Sequence, residues 1–297
     1  MLDNKFFEPE KINDYYVDKN MKKVWACEID LLEKFIRVCE KYKLKYYMAG
    51  GSLIGTIRHQ GFIPWDDDID IDMFRDDYER FCEIAPKEFN GKYFFQSTYT
   101  DKHYVRPHVQ IRNSETTAIM DHEKGLPFNQ GIFIDIFPLD AVPRNKVKQK
   151  IQSTIMFYMM NFLRAGIMVN PKFNQSFFKN IAHYIAVPFF KLIDFHVFFK
   201  WFEKVATYYD HDKSLCVGEI SFDYRDKCIW KREWFDEIIL KPYHDLMVAV
   251  PKDYDKVLTK TFGDYMTPVQ DPSYHSHIIF DTKISYKKKL QELFGID

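Results

Sequence analysis

Hydrophobic residues recur at helical spacing over residues 21–43, where Val24, Cys27, Leu31, Phe35, Val38 and Tyr42 are separated by charged positions. That period predicts an amphipathic helix with one buried face. Leu44–Ala49 reads as a short buried strand, which Gly50 and Gly51 end. Ser52 is placed to cap a short helix running through Arg58. Phe62, Ile63, Pro64 and Trp65 read as a loop. From Asp68 to Phe74 acidic and apolar residues alternate, the period of a strand with two unlike faces. A helix follows over residues 76–86, with Tyr78, Phe81, Cys82 and Ala85 on one side.

Four strand-like runs come next: Tyr93–Tyr99, Val105–Arg112, Thr116–Met120 and Gly131–Phe137. The last is apolar throughout except for Asp135, as expected of a central strand buried on both faces. Beyond Pro143 the composition shifts. Residues 145–210 are rich in Phe, Tyr, Met and Lys and read as helical, punctuated at Pro171 and Pro188. This divides the chain into a core of residues 1–143, a helical insert of 144–212, and a C-terminal part, 213–297, that completes the core. The insert has two readings. Its helices pack on the sheet, or the aromatic and basic stretch His183–Phe202 lies at a membrane surface.

Composition narrows the function classes. With 28 Phe and 19 Tyr, the chain has large apolar surfaces to bury in its core or against a partner. A net charge of −1 argues against a general nucleic-acid binder, so no nucleic-acid partner is expected. The five cysteines form no CxxC pair, which argues against zinc ribbons and disulfide scaffolds and fits reduced thiols in the cytoplasm. The first residues carry no apolar signal-peptide core. The longest apolar stretch, Ile155–Val169, contains Asn161 and Arg164 and is a poor membrane span.

The candidate chemistry is concentrated in residues 50–72, GGSLIGTIRHQGFIPWDDDIDID. In a strand, Asp68 and Asp70 project from one face about 7 Å apart. Two carboxylates held that close repel each other, and a divalent cation between them removes the penalty. An acidic turn in solvent is the plainer reading, but Ile69, Ile71 and Met73 make this segment half-buried. Oxygen ligands without a Cys or His cluster favour Mg²⁺ or Mn²⁺. Gly50, Gly51 and Ser52 stand where a strand meets a helix N-terminus, an arrangement that accommodates phosphate. Arg58, six residues further on, is a candidate for bidentate phosphate contact or a surface arginine paired with a nearby acid. Asp135 is a candidate third carboxylate, if its strand lies beside the acidic one.

These blocks resemble the LicD family of phosphotransferases, kin to fukutin. The resemblance runs from CEKYKLKYYMAGGSLIGTIRHQGFIPWDDDIDIDM through FRDDYERF, resumes at GIFIDIFPLD, and continues more loosely at VPKDYDKVLTKTFGDYMTP. Where the family block has Thr after its glycine pair, this chain has Ser52. The resemblance implies an α+β nucleotidyltransferase-type fold, with a mixed sheet flanked by helices and a helical insert. It implies transfer of a phospho-alcohol, typically phosphocholine, from CDP-choline or another CDP-alcohol to a glycan or lipid-linked glycan acceptor. Gly50, Gly51 and Ser52 fall on its phosphate-cradling motif, Asp68 and Asp70 on its metal-binding DxD, and Asp135 where the fold places a third carboxylate. Asp68, Asp70, Asp135 and Arg58 are then the catalytic candidates. His277, in the loop Pro268–His277, is a further candidate for the donor phosphate. Arg75 and Tyr78 also match, in structural roles. Such acceptors are membrane-presented, so the implied location is cytoplasmic, with peripheral contact at the inner membrane face through 145–210 as the second reading of the insert.

Overall fold

A computed structural model describes residues 2–12, 14–101, 103–124, 126–167, 185, 188–190, 192–210, 214–221, 226–270 and 278–295. The chain opens with a small hairpin, β1 (Glu10–Ile12) and β2 (Tyr15–Val17), and the long helix α1 (Lys19–Tyr42). The Asp18 carboxylate caps α1 by accepting the N–H groups of Asn20 and Met21, both at 2.8 Å. Lys43 then ends the helix in the left-handed region, φ 56°. The buried face of α1 carries Val24, Leu31, Phe35 and Val38 of the expected stripe and beside them Trp25, Ile29, Leu32 and Cys39, while Cys27 and Tyr42 at its margin are half-buried.

The strand β3 is only Tyr47–Met48, shorter than the expected Leu44–Ala49, because α2 (Gly50–Arg58) starts directly behind it. Asp70–Phe74 forms β4 and Arg75–Glu88 forms α3. The hairpin strands β5 (Tyr93–Gln96) and β6 (Val109–Asn113) follow, then β7 (Thr117–Ile119). The central strand β8 runs from Ile132 to Val142, five residues beyond the expected end and through Pro138. All eleven of its residues are buried, as a strand covered on both faces requires.

In the main sheet β4 is parallel to β8 and antiparallel to β3, and β8 is also antiparallel to β6. Further along the chain, β9 (Cys216–Gly218) pairs with the end of β8, and β10 (Ile229–Lys231) pairs with β9. The hairpin β11 (Ile238–Tyr243) and β12 (Leu246–Pro251) packs near α2 and β3. The last strand, β13 (Ile279–Asp281), pairs with β7. This mixed sheet among helices is the α+β class that the resemblance implies. The helical expectation for 145–210 is met at α4 (Lys146–Ile167) and α5 (Phe195–Ala206). Helices α6 (Tyr254–Phe262) and α7 (Tyr286–Phe294) follow.

One large apolar cluster joins α1, α3 and the sheet. Phe35, fully buried, meets Tyr46 and Phe81 edge-on with ring centroids 5.2 Å apart in each case. Burying a side chain of that size stabilises by about 1.5–3 kcal/mol. A second cluster seats α4 and α5 against the sheet through Met156, Met160, Leu163, Phe199 and Phe202, which meet Val142, Ile220 and Ile229. The outer faces of these helices leave Ile151, Ile155, Tyr158 and Trp201 exposed. Among the described residues no helix is long and apolar enough to cross a membrane.

Two polar ties fix the frame around β4. Arg75, the first residue of α3, grips Asp140 near the end of β8 through Nε–Oδ1 at 2.7 Å and Nη2–Oδ2 at 2.8 Å. Both residues are buried, and the Ser221 hydroxyl donates to the same carboxylate at 2.8 Å. This structural role for Arg75 agrees with the sequence reading. At the other end of the site, the loop after α2 is held by His244. Its Nε2 accepts the Phe62 N–H at 3.4 Å, and its backbone N–H donates to the Gln60 carbonyl at 2.7 Å. Gly61 has no alternative here, since a Cβ would lie 2.5 Å from His244 Nε2. Phe62 is stacked on Trp25 at 4.7 Å.

Asp140→Ala leaves a buried guanidinium unpaired and is expected to lower unfolding free energy by about 3–5 kcal/mol. The double variant Arg75→Met/Asp140→Leu is expected to recover most of that loss; urea unfolding of the three proteins measures both. His244 is pushed down to about 4 by burial and by Lys22, so it is neutral in the fold at pH 7. As pH falls from 6.5 towards 4, the unfolded chain takes up this proton first, and stability is lost across that window, by up to about 3 kcal/mol. Unfolding curves at pH 7 and pH 4.5 should show a smaller pH-dependent loss for His244→Gln than for the unsubstituted protein.

Candidate active site

The parallel register of β4 and β8 sets Asp70 directly opposite Asp135. Neighbouring strands lie about 4.8 Å apart, so two acids in one register position on one face must meet. The other face of β4 is apolar, with Ile71 and Met73 fully buried. One carboxylate oxygen from each of Asp68, Asp70 and Asp135 lies within 4.8 Å of the others. The sequence had placed Asp68 in the strand, but it precedes β4. Backbone bonding explains the difference. The Asp70 N–H donates to the Ser52 hydroxyl at 2.9 Å, and that hydroxyl faces the Asp68 carbonyl at 3.5 Å. Residues 66–69 are thereby tied to the start of α2, while Ile69 accepts the Asp135 N–H at 2.8 Å.

Ser52 is therefore not the helix cap. Helix α2 begins at Gly50 after Ala49, without a side-chain cap, and Ser52 sits in its first turn, buried. The glycine pair is a steric requirement of the acids. Gly50 has φ +50°, and a Cβ there would lie 2.8 Å from Asp70 Oδ2. A Cβ on Gly51 would lie 2.6 Å from Asp66 Oδ2. Only residues without side chains let both carboxylates approach the positive end of the helix.

The electrostatics separate the acids. Burial, followed by the charges of Asp68, Asp135 and Asp66, pushes the Asp70 carboxyl far above the ordinary range. Burial also opposes ionisation of Asp135, but His108 and Arg106 outweigh it and hold that carboxyl below its usual value. His108 Nε2 lies 3.1 Å from Asp135 Oδ1, and burial keeps the imidazole below its ordinary pKa, so it is neutral at pH 7. Arg106 is in turn paired with buried Glu123. On the same face of β4, Asp72 is raised by burial and then by Glu219.

Arg58 is set apart from the three acids. It ends α2, about 12 Å along the axis from Gly50 at 1.5 Å per residue. Its Nη1 donates to the Tyr265 carbonyl at 2.6 Å and its Nε to His59 Nε2 at 2.9 Å. Trp65 is half-buried, edge-on to Tyr15 at 6.0 Å. His277 lies outside the described residues. Sequence reasoning did not single out His108, Glu28 or Tyr243, all of which border the acidic cluster. Glu28 alone had a usable signal: it is a charged residue on the buried stripe of α1, one turn after Trp25.

Three carboxylate oxygens within 4.8 Å fit a hard divalent cation, whose oxygen ligands at about 2.0–2.6 Å can be no more than twice that distance apart. No thiol lies among them. Residues 43–159 match the family described as LicD/FKTN/FKRP, nucleotidyltransferase domain. The lipopolysaccharide cholinephosphotransferase LicD of Haemophilus influenzae is 29% identical over 268 residues, covering 83% of this chain and 92% of that protein. The human ribitol 5-phosphate transferase FKRP is 26% identical over 161 residues, covering 46% of this chain and 31% of its own length. An uncharacterised Rickettsia prowazekii protein is 30% identical over 105 residues, 35% of this chain and 36% of that protein. Both acidic strands lie inside the stretch that the family model matches, so the part of the chain that holds the three acids is similar to the LicD/FKTN/FKRP nucleotidyltransferase domain.

Proposed function

We propose that this phosphotransferase moves a phospho-alcohol, phosphocholine first among them, from a CDP-linked donor to a sugar hydroxyl of a cell-surface glycan such as teichoic acid, lipopolysaccharide or capsule, releasing CMP. The observation that carries this reading is the meeting of Asp68, Asp70 and Asp135 at the glycine-led start of α2. The relatives supply the substrate class: one is named for cholinephosphate transfer and another for ribitol 5-phosphate transfer.

Asp68, Asp70 and Asp135 would hold Mg²⁺ or Mn²⁺. When bound, the ion supplies neutralisation of donor phosphate charge as it builds in the transition state. The remaining chemistry belongs to the chain. The first turn of α2, at Gly50, Gly51 and Ser52, offers backbone N–H groups and a positive helix end to the diphosphate. The acceptor hydroxyl forms a new O–P bond to the phosphorus that bears the alcohol, the bond to the CMP oxygen breaks, and Asp135 or Asp70 takes the hydroxyl proton. His108 orients Asp135 through the 3.1 Å contact. For Arg58 the geometry supports anchoring the end of α2 to Tyr265, ahead of a contact with the leaving phosphate.

The acceptor side is open. A cleft of about 510 Å³, within the usual range for small-molecule sites, lies between α3, the β5–β6 hairpin and α5. Its walls include Tyr99, His108, Phe199 and Glu203, so it runs from the insert to the residue that contacts Asp135. Aromatic and polar walls of this kind suit a sugar. This gives the insert the acceptor and leaves the donor to the core. The exposed Ile151, Ile155, Tyr158 and Trp201 on the insert suit peripheral contact with the membrane face that presents such an acceptor.

Asp70→Asn is expected to lower turnover by at least a hundredfold in an assay of CMP release from CDP-choline with Mg²⁺. The same change removes a half-buried, mutually repelling carboxyl, so the metal-free variant should melt at or above the temperature of the unsubstituted protein. Near-normal turnover would contradict the assignment of the three acids. Mass spectrometry of the products tests the bond that breaks. CMP and a phospho-alcohol on the acceptor are expected; pyrophosphate from CTP, or a nucleotide on the acceptor, would establish nucleotide transfer on the same fold.

A further inference from the structure

Between Asp140 and Asp194 the sequence holds eight Lys or Arg residues and no Asp or Glu, in a chain whose net charge is −1. Positive charge is therefore segregated along one stretch. Five of the eight, from Arg144 to Arg164, lie in α4 or just before it, and all five are exposed. Lys146 is paired with Asp226, while Lys148 and Lys150 have no acidic partner among the described residues.

The same helix carries an apolar stripe that faces outward. A helix turns by about 100° per residue, so Val147, Ile151, Ile155 and Tyr158 share an arc of about 80°. All four are exposed, by between 44% and 68%. Gln149, Gln152, Met156, Met160 and Leu163 lie on the opposite side and are buried. Lys148 and Lys150 flank the outward stripe, one on each side. Helix α5 extends this surface with Val197, Trp201 and Lys204, all exposed on one side of it. Half-buried rings join the two helices. Phe162 of α4 meets Phe198 of α5 with centroids 5.5 Å apart, and Phe198 meets Trp201 at 5.9 Å. The adjacent side of α5, with Lys200, Glu203 and Lys204, lines the cleft described above.

We propose that this face of α4 and α5 docks on an anionic lipid bilayer, with the apolar stripe and Trp201 below the headgroups and the flanking lysines against lipid phosphates. Apolar residues bordered by lysines, with Trp and Tyr among them, make the surface of a helix that lies in a membrane interface. Lysine stems reach past apolar neighbours and leave the ammonium groups at headgroup depth. A second copy of this chain fits worse, because a two-fold contact through this face would set the same uncompensated lysines against each other. The cleft adjoins the docked side of α5, so an acceptor anchored in that bilayer would be within its reach. This names the lipid chemistry of the membrane contact in the proposed reading and rests on that reading for its use; the binding itself is measured without transfer.

Sedimentation of the full chain with sucrose-loaded vesicles tests it. Vesicles of phosphatidylcholine and phosphatidylglycerol, mixed at about two to one, should bind about tenfold more tightly than phosphatidylcholine alone. High salt should remove most of that binding. Lys148→Glu/Lys150→Glu should weaken it by about tenfold while leaving the circular dichroism unchanged. Acyl chains brominated near the headgroup should quench tryptophan fluorescence in the unsubstituted protein, and Trp201→Phe should lose most of that quenching. Binding that ignores lipid charge or survives the lysine reversals overturns the proposal, as does quenching that persists without Trp201. So does a dimer in sedimentation equilibrium that Ile151→Asp/Ile155→Asp splits, which would give the face to a second copy. With a soluble acceptor, CMP release by Lys148→Glu/Lys150→Glu should match that of the unsubstituted protein. No CMP release from either protein, with docking intact, would count against the transfer reaction alone.

Discussion

Like-charge repulsion between Asp70 and Asp135, held one strand spacing apart on the buried face of β4 and β8, is the constraint that shapes the surrounding structure. Acids in this position raise the energy of the unliganded fold, so the scaffold must be stiff enough to hold them together. The stiffness comes from a parallel strand pair with an apolar opposite face, and from a β8 buried along its whole length. The pair cannot relax by separating without breaking the ladder that carries both acids.

Each neighbouring element answers the same constraint. Helix α2 points its positive end at the acids, and its first two residues are glycines because any side chain would strike Asp70 or Asp66. His108 and Arg106 favour the ionised form of Asp135, while the carboxylates around Asp70 disfavour its ionised form. The site thus holds carboxyl groups of unequal basicity within a few ångströms, an arrangement suited to binding a cation and exchanging a proton. The tie between Arg75 and Asp140 absorbs a different buried charge. It locks the start of α3 to β8 just beyond the acids, so that the end of β4 cannot swing away.

Helices α4 and α5 contribute differently. They are seated on the sheet by Met and Phe side chains, while α5 lines the cleft that reaches His108. Core packing and the lining of the cleft are therefore done by adjacent faces of one helix. Phe199 serves both, closing the second apolar cluster and facing the cleft.

Much of this was legible along the chain because the signals were local. The stripe on α1, the alternation of acids with Ile69, Ile71 and Met73, and the single acid in GIFIDIF each follow from a periodicity set by backbone geometry. Those patterns sufficed to single out Asp68, Asp70 and Asp135 before any fold was known. Other features rest on distances between residues far apart in sequence. Ser52 bonds Asp70 across eighteen positions instead of capping its own helix, which also moves Asp68 out of the strand. His108 meets Asp135 only because β6 and β8 are antiparallel neighbours. Glu28 and Tyr243 border the acids from α1 and β11, and Arg58 is drawn to Tyr265, 207 residues away. The sequence by itself determined which residue types would line the site, since composition and period decide which side chains share a face. Register, helix direction and the approach of distant segments were decided by tertiary structure alone, because charge and steric contact act through space.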